Sequence, residues 1–228
     1  MPARGRGLAI LLFTASMAPP VLAGGLPDGL VYLADIAPAI RQDIRYASGR
    51  NFTGARVPGY RAAECVLARE AALALRKVDE SLAAQGFGLA VLDCYRPRKA
   101  VRHFVRWAAA GGWTDPAHHP RIARSDLVDK GYIAARSSHS TGFTVDATLA
   151  DRNGAELDMG TPFDFFDPRA HTASRAVSPE AMERRRVLVR AMAAVGFVNY
   201  RREWWHFSLK RTPAAAPLHD IDIVPRGG

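Results

Sequence analysis

Residues 137–146 read SSHSTGFTVD, and this stretch predicts how a core strand of the fold begins. Apolar and polar side chains alternate weakly over residues 143–150, which indicates a strand. Gly142 lies between His139 and Asp146, and its conformational freedom allows the backbone to bend there. The stretch therefore predicts a bend that leads into a core strand and turns His139 and Asp146 toward one point.

A second short motif, EWWH at residues 203–206, completes a candidate metal site. His139, Asp146 and His206 offer two imidazoles and one carboxylate, which suit zinc and leave a fourth position for water. Glu203 is placed to act as a general base beside that water. Residues three apart on a flat strand face opposite sides, so we expect a bend at Trp204-Trp205 or Glu203 in the loop before the strand.

Each of these residues also has a structural explanation when it is taken alone. His139 would be a turn residue, Asp146 a capping group at a strand end, and His206 a half-buried histidine. The joint pattern with Glu203 favours the metal site. The adjacent pair His118-His119 lies in a predicted surface loop, where neighbouring histidines seldom converge on one ion.

The periodicity of the chain predicts one α+β domain. At 228 residues and 48% hydrophobic composition, the chain has the size and composition of one ordinary globular domain with a buried core. Interspersed elements predict a single mixed α/β domain with a small central antiparallel sheet, flanking helices and the zinc site on the sheet. The predicted helices cover residues 62–85, 97–111 and 178–196, and the predicted strands cover residues 89–93, 143–150 and 204–209. The last helix carries the apolar residues Met182, Val187, Val189 and Met192.

The first 23 residues have the order of a secretory signal. Arg4 and Arg6 precede the apolar residues 8–13, and residues 21–23 read VLA. We predict cleavage after Ala23, a mature domain over residues 24–228, and export to a bacterial periplasm. The alternative is an uncleaved anchor, although the apolar stretch is short for a bilayer. The mature chain has no segment long enough for stable membrane insertion.

The basic charge of the chain does not indicate a nucleic-acid partner. Thirty-one Lys and Arg against 22 Asp and Glu give a net charge of +9, but the arginines are scattered. The densest run, residues 184–186, falls on a predicted helix and is interpreted as its solvated face. We therefore expect no nucleic acid and a small-molecule substrate.

The chain has two cysteines, Cys65 and Cys94. In an exported protein such a pair favours a disulfide, and the alternative is two buried free thiols.

Three motifs together resemble the D-alanyl-D-alanine dipeptidases. They are DCYRP at residues 93–97, the S-x-H-x-x-G-x-x-x-D run at residues 137–146, and EWWH at residues 203–206. NFTG at residues 51–54 and DMGTPFD at residues 158–164 are also similar to that family. The resemblance extends from about residue 30 to residue 210, with the motifs in the same order.

The resemblance implies a zinc metallopeptidase, with one zinc ion, that cleaves the free dipeptide D-Ala-D-Ala. It implies these roles: zinc ligands His139, Asp146 and His206; general base Glu203; oxyanion stabiliser Arg96; and partners of the substrate's ammonium group Asp164 and Ser137. The residue types suit these roles, because an arginine is always charged and its planar fork can hold an oxyanion. The structural alternatives are a surface charge at a helix start for Arg96 and a turn cap for Asp164.

Two other functions remain open at this point. A D,D-carboxypeptidase that trims the terminal D-Ala from peptidoglycan stems would use the same site with a longer groove. A zinc-binding module without catalysis would need neither the base Glu203 nor the oxyanion donor Arg96, so these two residues favour an enzyme.

Overall fold

The mixed α/β fold predicted from the sequence is confirmed by a computed structural model, which describes residues 25–210 and 212–227. The predicted signal segment, residues 1–23, lies outside the described residues. Among the described helices, none is both long enough and apolar enough to cross a bilayer. In chain order the strands and helices are β1 (Leu30–Tyr32), α1 (Leu33–Ile36), β2 (Arg41–Gln42), β3 (Val66–Ala68), α2 (Arg69–Ala83), β4 (Gly88–Asp93), α3 (Arg98–Ala109), β5 (Thr144–Ala150), α4 (Pro179–Ala194), β6 (Phe197–Asn199) and β7 (His206–Leu209).

Five of the strands form the central sheet, in the order β2-β4-β5-β7-β6. The pairs β4-β5, β5-β7 and β6-β7 are antiparallel, and the short edge strand β2 runs parallel to β4. Helices α2 and α4 pack against each other and against this sheet. Strands β1 and β3 form a separate antiparallel pair. The predicted antiparallel character therefore holds for the sheet except at its β2 edge.

Strand β5 lies at the centre of the sheet, and all seven of its residues are buried. Val145, Ala147 and Leu149 belong to the hydrophobic core. Because side chains alternate along a strand, Thr144 and Asp146 project from the opposite face. This alternation places one carboxylate in the middle of an otherwise well-packed sheet.

The strand register brings three functional side chains into one row. Asp93 on β4 and His206 on β7 are both the direct cross-strand partners of Asp146. The pairing of β4 with β5 shifts by one residue between Val91 and Asp93, which is a β-bulge. Without that extra residue, Leu92 would stand opposite Asp146 and Asp93 would face the other side. The bulge is therefore what aims Asp93 at the site.

The bend predicted at Gly142 is also present, and the packing there requires a glycine. Gly142 has a φ of +79°, and a Cβ would lie 2.7 Å from Leu30 Cδ2 and 3.0 Å from the Ala68 main-chain nitrogen. Ala68 N in turn donates a hydrogen bond to the Gly142 carbonyl (2.8 Å). The β1-β3 pair is thus pressed directly against the turn that precedes β5.

The prediction of one helix over residues 62–85 is wrong at its beginning. Residues Val66–Ala68 form β3, and the helix starts only at Arg69. The helical spacing of the apolar residues correctly indicates a helix from Arg69 onward. Residues 66–68 instead pair with strand Leu30–Tyr32. A partner strand distant in sequence overrode the local pattern. The end of the helix is as predicted, with Gly86 in a left-handed conformation (φ +86°).

The predicted beginning of α4 at Ser178 is confirmed. Ser178 Oγ caps the helix by accepting a hydrogen bond from Ala181 N (3.1 Å). The buried residues are Ala181, Arg185, Leu188, Ala191 and Met192, whereas Met182, Val187 and Val189 are only half-buried. The sequence has apolar residues on two adjoining faces of this helix, so its periodicity did not decide which one packs inward.

Arg185 also corrects the interpretation of residues 184–186 as solvated charges. Its side chain is 1% exposed, and its guanidinium donates hydrogen bonds to the carbonyls of Met159, Arg169 and His171 (2.8–3.0 Å). A buried cation is tolerated here because these carbonyls replace its water. Arg185 therefore ties α4 to residues 159–171.

The predicted disulfide is confirmed. Cys65 and Cys94 are bonded and both are buried, so β3 is covalently linked to the end of β4. Tyr95 N also donates a hydrogen bond to Val66 O (2.9 Å) beside this link.

Removing the disulfide should lower the free energy of unfolding by about 3–4 kcal/mol, because it closes a loop of intermediate length. The measurement is urea unfolding of the oxidised protein and of the Cys65→Ala/Cys94→Ala variant, both stripped of metal so that metal binding does not contribute. The reduced wild-type protein serves as a second control without substitutions. Equal midpoints for all three proteins would contradict a stabilising role for the bond.

Candidate active site

Three ligand atoms from separate parts of the chain meet at one point. Asp146 Oδ1 lies 3.3 Å from His139 Nε2 and 3.1 Å from His206 Nδ1, and the two ring nitrogens are 3.3 Å apart. Ligands held about 2.0–2.1 Å from a tetrahedral zinc are separated by roughly 3.3 Å. The three atoms therefore form the base of a tetrahedron of the right size, and among the residues that the structure describes they are the group that can hold a metal ion.

The orientation of these side chains also fits a metal. His139 Nδ1 lies 2.7 Å from the Cys94 carbonyl, so the proton resides on Nδ1 and the Nε2 lone pair points at the shared centre. Asp146 Oδ1 is buried and accepts no well-aligned hydrogen bond, although a buried oxygen normally has a partner. Burial acts to raise the pKa of Asp146, but the neighbouring histidines hold it well below its ordinary value. The donor set is thus an ionised carboxylate with two convergent imidazoles.

Arg96 is held beside the candidate metal ligands by Asp93. Its guanidinium Nε lies 2.9 Å from Asp93 Oδ2, and a terminal nitrogen lies 3.4 Å from Asp146 Oδ2. The hydroxyl of Tyr60 donates to the other oxygen of Asp93 (2.7 Å). Asp93 is completely buried. The position of Asp93, first in the DCYRP motif and last in a predicted strand, did not by itself indicate this role.

Glu203 lies in the loop before β7, which confirms one of the two arrangements predicted for it. Trp204-Trp205 form a turn, and His206 is the first residue of the strand. Because of this turn, Glu203 Oε2 approaches to 3.5 Å from His206 Nδ1. Burial raises the pKa of Glu203 to about 7, which suits a group that accepts and returns a proton near neutral pH.

These groups line one small cavity of about 290 Å³, at the low end of the range for small-molecule sites. His139 lies beneath its floor and is fully buried. The other six predicted site residues all face the cavity, namely Arg96, Ser137, Asp146, Asp164, Glu203 and His206. Its wall is aromatic, with Tyr46, Phe52, Phe104, Phe166 and Trp205.

Asp164 enters this cavity from a strained backbone. Its φ of +56° is the only positive value at a non-glycine residue in the described chain, and its side chain is buried. The Tyr46 hydroxyl lies 2.9 and 3.1 Å from its two carboxylate oxygens. Burial raises the pKa of Asp164 well above its ordinary value. A buried carboxylate with one neutral donor retains acceptor capacity for a positive group in the cavity.

Ser137 is placed at the edge of the same cavity, but its hydroxyl already has a structural contact. Ser137 Oγ accepts a hydrogen bond from His139 N (3.3 Å) and so caps the 3₁₀ turn Ser138–Thr141 that carries the metal ligand. Its contact with substrate stays a prediction. His118 and His119 are not part of the metal group, and His119 Nδ1 lies 2.9 Å from the carbonyl of Ile122.

A metal cradle beside a half-buried glutamate and a fixed arginine is the arrangement of a metal-dependent peptidase. Residues 27–223 match the D-Ala-D-Ala dipeptidase family of M15 peptidases. D-alanyl-D-alanine dipeptidases from Enterococcus faecalis and Enterococcus faecium are each 40% identical to this chain, over 82% and 86% of it and 95% and 98% of their own lengths. The Streptomyces coelicolor enzyme is also 40% identical, over 85% of this chain and 97% of its own. The chain belongs to the D-Ala-D-Ala dipeptidase family.

If the three convergent atoms hold the metal, Zn²⁺ should raise the thermal midpoint of the metal-stripped protein. Binding at a hundredfold excess over Kd contributes about 2.7 kcal/mol to the folded state. His206→Ala should abolish this shift because it removes one of three ligands. Glu203→Ala is the matched control three residues earlier in the chain, and it should keep the shift. An unchanged shift in His206→Ala, measured by calorimetry with zinc titration, would contradict the assignment.

Proposed function

We propose that this protein is a zinc-dependent dipeptidase that hydrolyses free D-alanyl-D-alanine to two molecules of D-alanine. The observation that carries the proposal is the placement of Asp164 in the same small cavity as the metal cradle, Glu203 and Arg96. In a short substrate, a positively charged amino terminus could pair with the buried Asp164 carboxylate while the peptide bond lies beside the metal cradle, Glu203 and Arg96. Membership of the D-Ala-D-Ala dipeptidase family supports the same substrate.

Zinc is the metal we propose for the site. Two imidazoles and one carboxylate at tetrahedral spacing suit Zn²⁺, whereas calcium and magnesium favour oxygen-only cages. His139, Asp146 and His206 would hold the ion. When bound, zinc would supply Lewis acidity, which lowers the pKa of a water ligand to about 7 and polarises a carbonyl oxygen.

The side chains around the metal supply proton transfer and charge stabilisation. Glu203 takes a proton from the attacking water and then delivers it to the departing amine nitrogen as the peptide bond breaks. Its raised pKa allows both steps near neutral pH. Arg96 donates hydrogen bonds to the carbonyl oxygen as negative charge develops there. Asp93 holds the guanidinium in place beforehand, so little reorganisation is needed during the reaction.

The environment of Asp164 favours a dipeptide over a longer chain. A free ammonium group can pair with this buried carboxylate and offset the cost of its burial. An acylated stem peptide has an amide in place of the ammonium group, so the buried carboxylate would stay without a cationic partner. For this reason we rank the D,D-carboxypeptidase function second.

The decisive assay measures D-alanine release from D-Ala-D-Ala and from an acylated pentapeptide stem ending in D-Ala-D-Ala. We expect release from the dipeptide, loss of release with a chelator and recovery with added zinc. The stem should be cleaved at least a hundredfold more slowly, because site groups built to bind a polar substrate group discriminate strongly when it is missing. Equal rates on the two substrates would instead establish wall trimming.

Glu203→Ala is the chemical control in this assay. It should lower kcat by about 10²–10⁴-fold, the usual contribution of a general base, while zinc content is unchanged. Unchanged hydrolysis would remove Glu203 from the mechanism.

We further propose that the enzyme is exported to the periplasm with residues 1–23 removed. Two features support this location, namely the signal-like order of the first 23 residues and a structural disulfide, which forms in oxidising compartments. Expression of the full chain in a bacterium, followed by fractionation and mass measurement, should give a periplasmic protein that begins at Gly24. A cytoplasmic protein that retains residues 1–23 would contradict the proposal.

A further inference from the structure

Helix α3 begins immediately after the arginine at the site, but the residue at its start does not cap it. Pro97 occupies the N-cap position, and a proline side chain offers no hydrogen-bond acceptor. The first main-chain N–H groups of a helix have no partner within the helix. Here the Pro97 carbonyl accepts only from Ala100 N and Val101 N (2.9 and 3.3 Å). The N–H groups of Arg98 and Lys99 therefore need acceptors from elsewhere.

Both acceptors come from a C-terminal segment, residues 219–223, which we call the C-terminal strap. Arg98 N donates to the His219 carbonyl (3.3 Å), and Lys99 N donates to Asp220 Oδ1 (2.7 Å). Asp220 Oδ2 also pairs with Arg102, one turn further along the helix (2.8 Å). Asp220 thus acts as the N-cap side chain of α3 although it lies 121 residues away from Lys99.

The strap also connects the arginine to the turn that carries a metal ligand. His219 N donates to the Ser140 carbonyl (2.9 Å). Ser140 Oγ donates to the Arg96 carbonyl (2.8 Å), and Arg96 N donates to the His139 carbonyl (3.2 Å). Together these three hydrogen bonds join the strap to the Ser138–Thr141 turn, and that turn to both the N–H and the carbonyl of Arg96. A shift of the strap would therefore be transmitted to the backbone from which the Arg96 side chain extends.

Further contacts fix the strap itself. The Tyr95 hydroxyl donates to the Ile221 carbonyl (3.2 Å) and accepts from Ile221 N (2.9 Å). Ile223 N donates to the Gly59 carbonyl (2.8 Å), and the Ile223 side chain is buried.

The strap also makes ion pairs, in which Asp222 contacts Lys99 Nζ and Arg61 (2.6 Å each). The strap is thus anchored at both ends of the segment that presents Asp220.

We propose that Asp220 is a positioning residue for catalysis, which caps helix α3 from the C-terminal strap and thereby fixes Arg96 at the scissile carbonyl. This inference rests on the proposed function, since it assumes that Arg96 acts on the substrate. A displacement of about 1 Å at a charge-stabilising group can cost about a hundredfold in rate. The Asp220 carboxylate holds the N–H of Lys99, three residues beyond Arg96, and bonds to none of the three metal ligands, so we expect its loss to act on the arginine.

The chain offers a matched control within the same strap. Asp222 carries the same charge two residues further on and also pairs with Lys99, but through the side-chain nitrogen and not the helix N–H. Asp222→Ala therefore removes the two ion pairs of Asp222, with Lys99 and Arg61, and leaves the cap intact. Asp220→Ser is the conservative rescue, because a serine hydroxyl can accept the same N–H.

The experiment compares kcat, KM and bound zinc for Asp220→Ala, Asp220→Gly, Asp220→Ser and Asp222→Ala on D-Ala-D-Ala, with rates normalised to bound zinc. We expect Asp220→Ala and Asp220→Gly to lower kcat by about ten- to a hundredfold with KM and zinc content within about twofold of wild type. Asp220→Ser should recover most of the rate, and Asp222→Ala should resemble wild type. Two variants without the carboxylate are included so that the result does not depend on one of them folding.

A double-mutant cycle with Arg96→Lys distinguishes positioning from general stability. If Asp220 acts through Arg96, its removal should have little further effect when the arginine fork is already absent. Multiplicative losses, a loss of zinc in the Asp220 variants, or wild-type rates for Asp220→Ala would each overturn the inference. A wild-type protein that does not hydrolyse the dipeptide would overturn the proposed function instead, and this is measured before any variant.

Discussion

The site depends on one constraint, which is the register of the three strands that carry Asp93, Asp146 and His206. Each pair of neighbours stands directly opposite across the sheet, so the three side chains project from the same face at one level. A slip of one residue would send a side chain to the other face and dismantle the row. The bulge before Asp93 and the glycine bend before β5 are the two local features that hold this register at the site.

That row concentrates charge in the interior, and the surrounding structure compensates each charge. Asp93 is matched by Arg96 and Tyr60, Asp146 by the two histidines, and Asp164 by the hydroxyl of Tyr46. Groups fixed in this way cost stability, but they need little reorganisation when charge develops during a reaction. The disulfide and the C-terminal strap brace the backbone around Arg96 and His139 from outside the sheet.

The differences between the predicted and observed elements have a common cause. The local spacing of apolar residues extended a helix over residues that in fact pair with β1, and it did not decide which face of α4 is buried. The run of arginines at residues 184–186 predicts a solvated helix face, but the Arg185 side chain is buried and donates hydrogen bonds to three backbone carbonyls. In each case the deciding partner lies far away in sequence.

The sequence by itself determined the family and the residue types available for the chemistry, namely the candidate metal ligands, the candidate base, the arginine and two cysteines. These follow from side-chain identity and short spacing, which the folded state does not change. Only the tertiary structure decided that Asp93 holds Arg96, that Asp164 faces the metal cradle from a strained backbone, and that Asp220 caps helix α3. Such roles depend on strand register and on contacts between residues up to 121 positions apart, which local pattern does not encode.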